Sequence, residues 1–421
     1  MNLNEINSYW YIIGASLIII ISYLFNLVSR KWNIPSVLLL ITLGIIIRYS
    51  TGITHIDGES PILGVLGIVG LIMIVLEASL DLELKKEKIG LILKSFLVAI
   101  ISLSTSSYLI ALIIQLFLKT DLFIALIYAI PLSIMSSAII IPSISQLSEK
   151  KKEFMIYEST FSDILGIMFF YFLLGSVEFE NGNELGLNIA SNILITISIS
   201  LILSYILIYF FQRIRTKVKL FLLISVLVLL YTLGKMLHLS SLIIILFFGL
   251  ILNNRKLFFK GKISKWFRQE ELNNIFKDFK LITEETAFVV RTFFFVIFGL
   301  TISLASLFRL DVFLISSLLL IILYGVRYLT LLLFLRKDFK TELFIAPRGL
   351  ITVLLFFAIP KEYQHQDFES GILLFLIITS SIIMAFALIK YGKTENNKED
   401  KEDNSEENTN FMSDSNLDKP K

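Results

Sequence analysis

Windows of about 20 apolar residues, each long enough to cross the roughly 30 Å hydrocarbon core of a bilayer, recur thirteen times along the 421 residues. They lie near 9–29, 34–50, 61–80, 88–118, 122–147, 153–175, 186–212, 217–235, 239–254, 284–305, 310–335, 342–360 and 369–391. A backbone surrounded by lipid must satisfy its own polar groups, and windows of this length do so as helices. The expected fold is therefore an all-α polytopic membrane protein of about 13 transmembrane helices. Hydrophobic residues at 56% and charged residues at 17% agree with it. The first window, Trp10 to Val28, is long and is followed by no small-residue cleavage site, so it reads as a span and not as a cleavable signal. Without cysteine there is neither a disulfide nor a thiolate metal site. His55, His238 and His365 are too scattered for a zinc cluster and are expected in outer loops, and no cofactor is expected.

Basic residues concentrate in alternate loops. They are Arg30 and Lys31, Lys85 to Lys88, Lys150 to Lys152, Arg213 to Lys219, the long segment Arg255 to Lys280, and Arg336 to Lys340. The intervening loops hold one basic residue or none, and the one after the sixth window carries Glu178, Glu180 and Glu184. By the positive-inside rule the lysine-rich loops are cytoplasmic, with the N-terminus outside and the C-terminus inside, as in a multi-pass protein of the bacterial inner membrane. The formal charge of +3 thus reports orientation and not a nucleic-acid surface. Between the ninth and tenth windows, Ile263–Lys280 interleaves Trp266, Phe267, Leu272, Ile275, Phe276 and Phe279 with charges, which predicts an amphipathic helix in the cytoplasmic interface. From Lys393 onward nine acids face five lysines, the composition of a disordered tail.

Two acids break the apolar rule. Glu158 and Asp163 lie inside the sixth window, where a carboxylate at the helix centre costs about 2.5–3.5 kcal/mol on insertion scales and is usually functional. A helix puts Ser159 and Asp163 on one face, Glu158 and Ser162 on the next, and the two carboxylates about 7.5 Å apart along the axis. From the expected topology Glu158 lies about 7.5 Å deep, Asp163 about 15 Å, Arg327 about 13 Å, Arg348 about 9 Å and Ser136 about 16 Å. A buried arginine needs a carboxylate, and Glu158 and Asp163 are the acids at that depth. Glu77 lies close enough to a helix end to snorkel.

Helix breakers accompany these charges. The fifth window carries a hydroxyl-rich run from Pro131 through Ser133, Ser136 and Ser137 to Pro142, and the twelfth carries Ala346-Pro347-Arg348-Gly349. Irregular backbone at membrane depth is tolerated where it lines a cavity, and two such helices in corresponding halves mark a transporter site. Taking the seventh span as a linker makes spans one to six and eight to thirteen inverted repeats, with the fifth matched to the twelfth.

These residues resemble the monovalent cation:proton antiporters over nearly the whole hydrophobic chain. The matching stretches are Pro35 to Leu40 with Gly44, Leu76 to Leu82, Phe294 to Gly299, Arg327, and Pro347-Arg348-Gly349. Tyr157 to Asp163 is similar to the glutamate-serine-x-x-asparagine-aspartate signature of the electroneutral branch. The resemblance implies that Asp163 binds the cation (Na⁺, Li⁺ or K⁺) and H⁺ in turn, and that Glu158 pairs with Arg327. The candidate cation and proton site is then Asp163 with the hydroxyls of Ser159, Ser162, Ser133 and Ser136, and Arg348 supplies charge in the broken twelfth span.

The resemblance further implies a homodimer and a division of the chain. Residues 1–86 and 215–305 form the dimerisation helices, 87–176 and 306–391 the moving core, 177–214 a linker helix, and 392–421 the tail. Two positions depart from the family pattern. Serine stands for asparagine at 162, and Met135-Ser136, or Ser136-Ser137, stands where a threonine-aspartate pair is expected. The alternative function is therefore a transport-impaired relative that senses cations or pH. Intramembrane aspartyl proteolysis, and so an enzyme, is disfavoured because Asp163 has no second deep aspartate.

Overall fold

The structure is a computed structural model. It describes residues 8–32, 35–52, 61–144, 146–175, 185–213, 219–236, 241–259, 268–301, 306–307, 309–336, 339–365 and 367–391. Within them the chain is helical and contains no strand. The helices are α1 (Ser8–Trp32), α2 (Ser36–Thr51), α3 (Pro61–Asp81), α4 (Ile89–Leu118), α5 (Leu122–Ser133), α6 (Ser137–Ser143), α7 (Glu149–Gly175), α8 (Leu185–Phe211), α9 (Lys219–Met236) and α10 (Ser241–Asn253). They continue as α11 (Arg255–Phe258), α12 (Gln269–Thr301), α13 (Leu310–Leu335), α14 (Lys340–Phe344), α15 (Leu350–Phe357) and α16 (Gly371–Tyr391). The fifth apolar window is the broken pair α5 and α6, and the twelfth is α14 and α15. His55, His238, Trp266 and the tail lie outside the described residues.

Packing sorts the helices into two neighbourhoods. α4 lies against α5, α7 and α13, while α12 lies against α2 and α3, and α10 against α3, α8 and α9. α2 and α12 approach backbone to backbone. A Cβ on Gly44 would collide with the carbonyl of Val296, and one on Gly299 with the carbonyl of Ile41. Lipid supplies no hydrophobic force between helices, so small residues that let backbones touch replace it.

Alternate connections meet at one end of the bundle. Lys88 pairs with Glu153, Lys280 with Asp81 at 2.9 Å, and Lys151 with Glu342 at 3.6 Å. The other end holds Arg309 on Glu369 at 2.6 Å, and the His365 amide donating to the Tyr128 hydroxyl at 2.8 Å. This is the parity that the alternating loop charges require.

One expectation is corrected. No separate interfacial helix occupies the described part of 263–280, because α12 runs unbroken from Gln269 for 33 residues, about 50 Å. The physical reason is that no glycine or proline stands between Gln269 and Phe298. Its apolar side is already used within the protein, with Leu272, Ile275 and Phe279 buried and the Phe279 ring edge-on to Phe248.

Candidate functional site

The helix ends at Ser133 because two features withdraw backbone groups from it. Pro131 supplies no N–H, and the Ser133 hydroxyl donates to the Ala129 carbonyl at 2.8 Å. Ile134 and Ser136 are extended, with φ, ψ of −69°, 133° and −80°, 111°, and α6 restarts at Ser137. A break at this depth leaves orphan groups that water cannot reach. Four of them are met from other elements. The Met135 amide donates to Ser162 Oγ at 2.9 Å, the Ser136 amide to the Pro347 carbonyl at 3.0 Å, and the Ser137 amide to Asp163 Oδ2 at 3.0 Å. The Leu132 carbonyl accepts from Arg348 Nε at 3.0 Å.

The second break is closed in the same manner. The Arg348 amide donates to Ser380 Oγ of α16 at 2.9 Å, and Arg348 Nη1 to the Ala346 carbonyl at 2.8 Å. Gly349 has no side chain to keep the two breaks apart, since a Cβ there would lie 2.5 Å from Ser136 Oγ. The two interrupted helices therefore cross at Ser136 and Pro347, with α7 alongside.

Five charged side chains are buried among the described residues: Glu158 at 1% exposure, Asp163 at 2%, Glu342 at 3%, Arg327 at 4% and Arg348 at 5%. Glu158 and Arg327 form a two-pronged pair, with Nη1 to Oε1 at 2.6 Å and Nη2 to Oε2 at 3.1 Å. Arg327 also donates from Nε and Nη2 to the Glu342 carbonyl at 3.0 and 2.7 Å. This fork geometry is the arrangement that makes a buried arginine tolerable.

Asp163 has no cationic partner among the described residues. Its Oδ2 accepts from the amide and, at 2.5 Å, from the hydroxyl of Ser137. Its Oδ1 is buried without a hydrogen-bond partner among the described residues, and so is Ser136 Oγ. Buried polar atoms in this condition are uncommon and call for an explanation.

The sequence-expected hydroxyls divide. Ser162 holds the extended segment, whereas Ser159 and Ser133 bond back to their own helices through the carbonyls of Met155 and Ala129. Ser137, absent from the expected set, is the hydroxyl on the carboxylate, because successive side chains at the restart of α6 point in different directions and Ser136 takes the other side. Glu77 does not snorkel. It pairs with Arg291 of α12, Oε1 to Nη2 at 3.0 Å and Oε2 to Nη1 at 3.1 Å. The only sequence signal for this contact was an arginine standing alone in the tenth window.

A membrane bundle in which two broken helices cross beside a buried carboxylate has the build of a secondary transporter. The family model described as sodium/hydrogen exchanger, transmembrane, matches residues 16–390, and the chain belongs to that family of cation:proton antiporters, which are transporters and not enzymes. Among solved structures the chain is similar to the sodium proton antiporter MjNhaP1 from Methanocaldococcus jannaschii at pH 8. The TM-score is 0.66 at 19% identity, over 91% of this chain and 96% of that one. A second structure of the same antiporter, from electron microscopy, gives 0.64 at 20% identity, over 93% and 96%. At these identities the likeness is one of fold. No curated protein matches the chain.

Proposed function

We propose that the protein exchanges one monovalent cation, Na⁺, Li⁺ or K⁺, for one H⁺ at Asp163. The observation that carries this reading is Asp163 Oδ1, a buried carboxylate oxygen without a hydrogen-bond partner among the described residues, at the crossing of the two breaks. An oxygen in that state accepts either a proton or a cation but not both, which is the competition that antiport needs. Ser136 Oγ supplies a second oxygen to the same region, and Ser159, Ser162 and Ser133 complete the polar wall. The core that carries the site comprises α4 to α7 and α13 to α16, moving against α1 to α3 and α9 to α12, through which two copies pair. Loop charges orient it in a bacterial inner membrane with the N-terminus outside and the C-terminus cytoplasmic.

Purified protein in proteoliposomes with an imposed pH gradient tests the reading. Adding Na⁺, Li⁺ or K⁺ in turn collapses the gradient with at least one of them, and Asp163→Asn abolishes the collapse while still inserting. A wild-type protein inert to all three cations would leave sensing as the better reading. An Asp163→Asn protein with normal turnover would move the site elsewhere.

A further inference from the structure

We propose that Ser137 is a positioning residue that tilts the competition at Asp163 toward the cation, by pinning Oδ2 and leaving Oδ1 alone to receive the ion. This rests on the exchange reading above and adds to it the group that sets the balance.

Oδ2 of Asp163 has two donors, the amide and the hydroxyl of Ser137. The Ser137 amide can only donate, so Oδ2 is held as an acceptor and a proton on it would point at an N–H. The incoming proton therefore goes to Oδ1, the oxygen without a partner among the described residues, which is also where a cation would land. The two outcomes differ in what they leave on Oδ2. A cation on Oδ1 leaves the carboxylate charged, and the Ser137 hydroxyl keeps a charge-assisted bond to it. A proton neutralises the group and weakens the same bond. The hydroxyl thus stabilises the empty and cation-loaded forms over the protonated one.

Among the described residues, most charged groups on the elements packed against α7 are engaged with other partners. On the elements packed against α7, Glu77 of α3 is tied to Arg291 and Lys88 before α4 to Glu153. Glu158 of α7 itself is tied to Arg327. Asp81 ends α3 on Lys280, and Lys94 lies in the second turn of α4. Arg348 is bonded to the carbonyls of Leu132 and Ala346. α5, α6, α10 and α15 carry no Asp, Glu, Lys or Arg.

Ser137→Ala removes the hydroxyl and keeps the amide. In proteoliposomes, the pH of half-maximal exchange should move up by about 1 unit. Below that pH the apparent KM for the cation should rise about tenfold, while the rate at alkaline pH and saturating cation stays at the wild-type level. Ser137→Thr restores the donor and should restore both values. A merely structural hydroxyl would lower the rate at every pH and leave the profile in place. Ser137→Gly deletes the same donor in a second background and should give the same shift, so that a variant failing to insert does not end the test. Wild-type exchange with an unmoved profile in the hydroxyl-free variants overturns the role of Ser137. Absence of exchange in the wild type instead overturns the functional reading.

Discussion

Arg348 Nε donates to the Leu132 carbonyl at 3.0 Å, so a cation in the break of the twelfth span caps the last turn of α5 in the fifth. Carbonyls at a helix C-terminus carry partial negative charge, and a buried guanidinium satisfies them while its own charge is offset. Arg348→Ala leaves the carbonyls of Leu132 and Ala346 unpaired, at about 1–3 kcal/mol each. Arg348→Lys keeps the charge, but a single ammonium cannot reproduce the fork. Melting in detergent should rank wild type above Arg348→Lys above Arg348→Ala. Equal midpoints would show that the cap carries no stability.

Breaking the Glu158–Arg327 pair from one side should cost about 3–5 kcal/mol, because it strands a charge in a dry interior. Arg327→Gln also weakens the donors to the Glu342 carbonyl, so it should be the worse single change. The double variant with glutamine at both positions should melt above either single one. If it melts at or below them, the pair is not the energetic unit its geometry indicates.

Gly44 and Gly299 should not tolerate even a methyl group. Each would place a Cβ against a backbone carbonyl of the facing helix, which cannot rotate aside as a side chain can. Overpacking of this kind costs about 1–3 kcal/mol. Gly44→Ala and Gly299→Ala should each lower the melting midpoint, whereas Gly14→Ala, at a site with open space, should leave it unchanged. Loss of stability in Gly14→Ala to the same degree would remove the argument from close approach.

Exchange should be insensitive to membrane voltage. A second transported proton needs a second group that gives one up. Ser162 accepts the Met135 amide and has no acidic proton to offer, while Glu158 is held by Arg327. One carboxylate then carries either one proton or one cation. Exchange of Na⁺ or Li⁺ in proteoliposomes clamped with valinomycin and K⁺ should show the same rate and end point at every imposed potential. A systematic dependence would point to Glu158 as the second carrier.

The chain by itself determined the spans, their parity, the two breaks and the buried acids. Each of these is written in local terms: an apolar window near 20 residues, lysines on alternate loops, a proline and serines in a row, a carboxylate where lipid forbids one. It did not determine which hydroxyl meets Asp163, that Glu77 would find Arg291, or that α12 would run straight through Gln269–Thr301. Those contacts join residues 26 and 214 positions apart in two of the three cases, and helical periodicity places a residue on a face without saying which face of another helix it will oppose. That choice is made by the rotation and depth at which helices lock together. Here it was settled by backbone contact at Gly44 and Gly299, and by the need of each group orphaned at the breaks for a partner on a neighbouring helix.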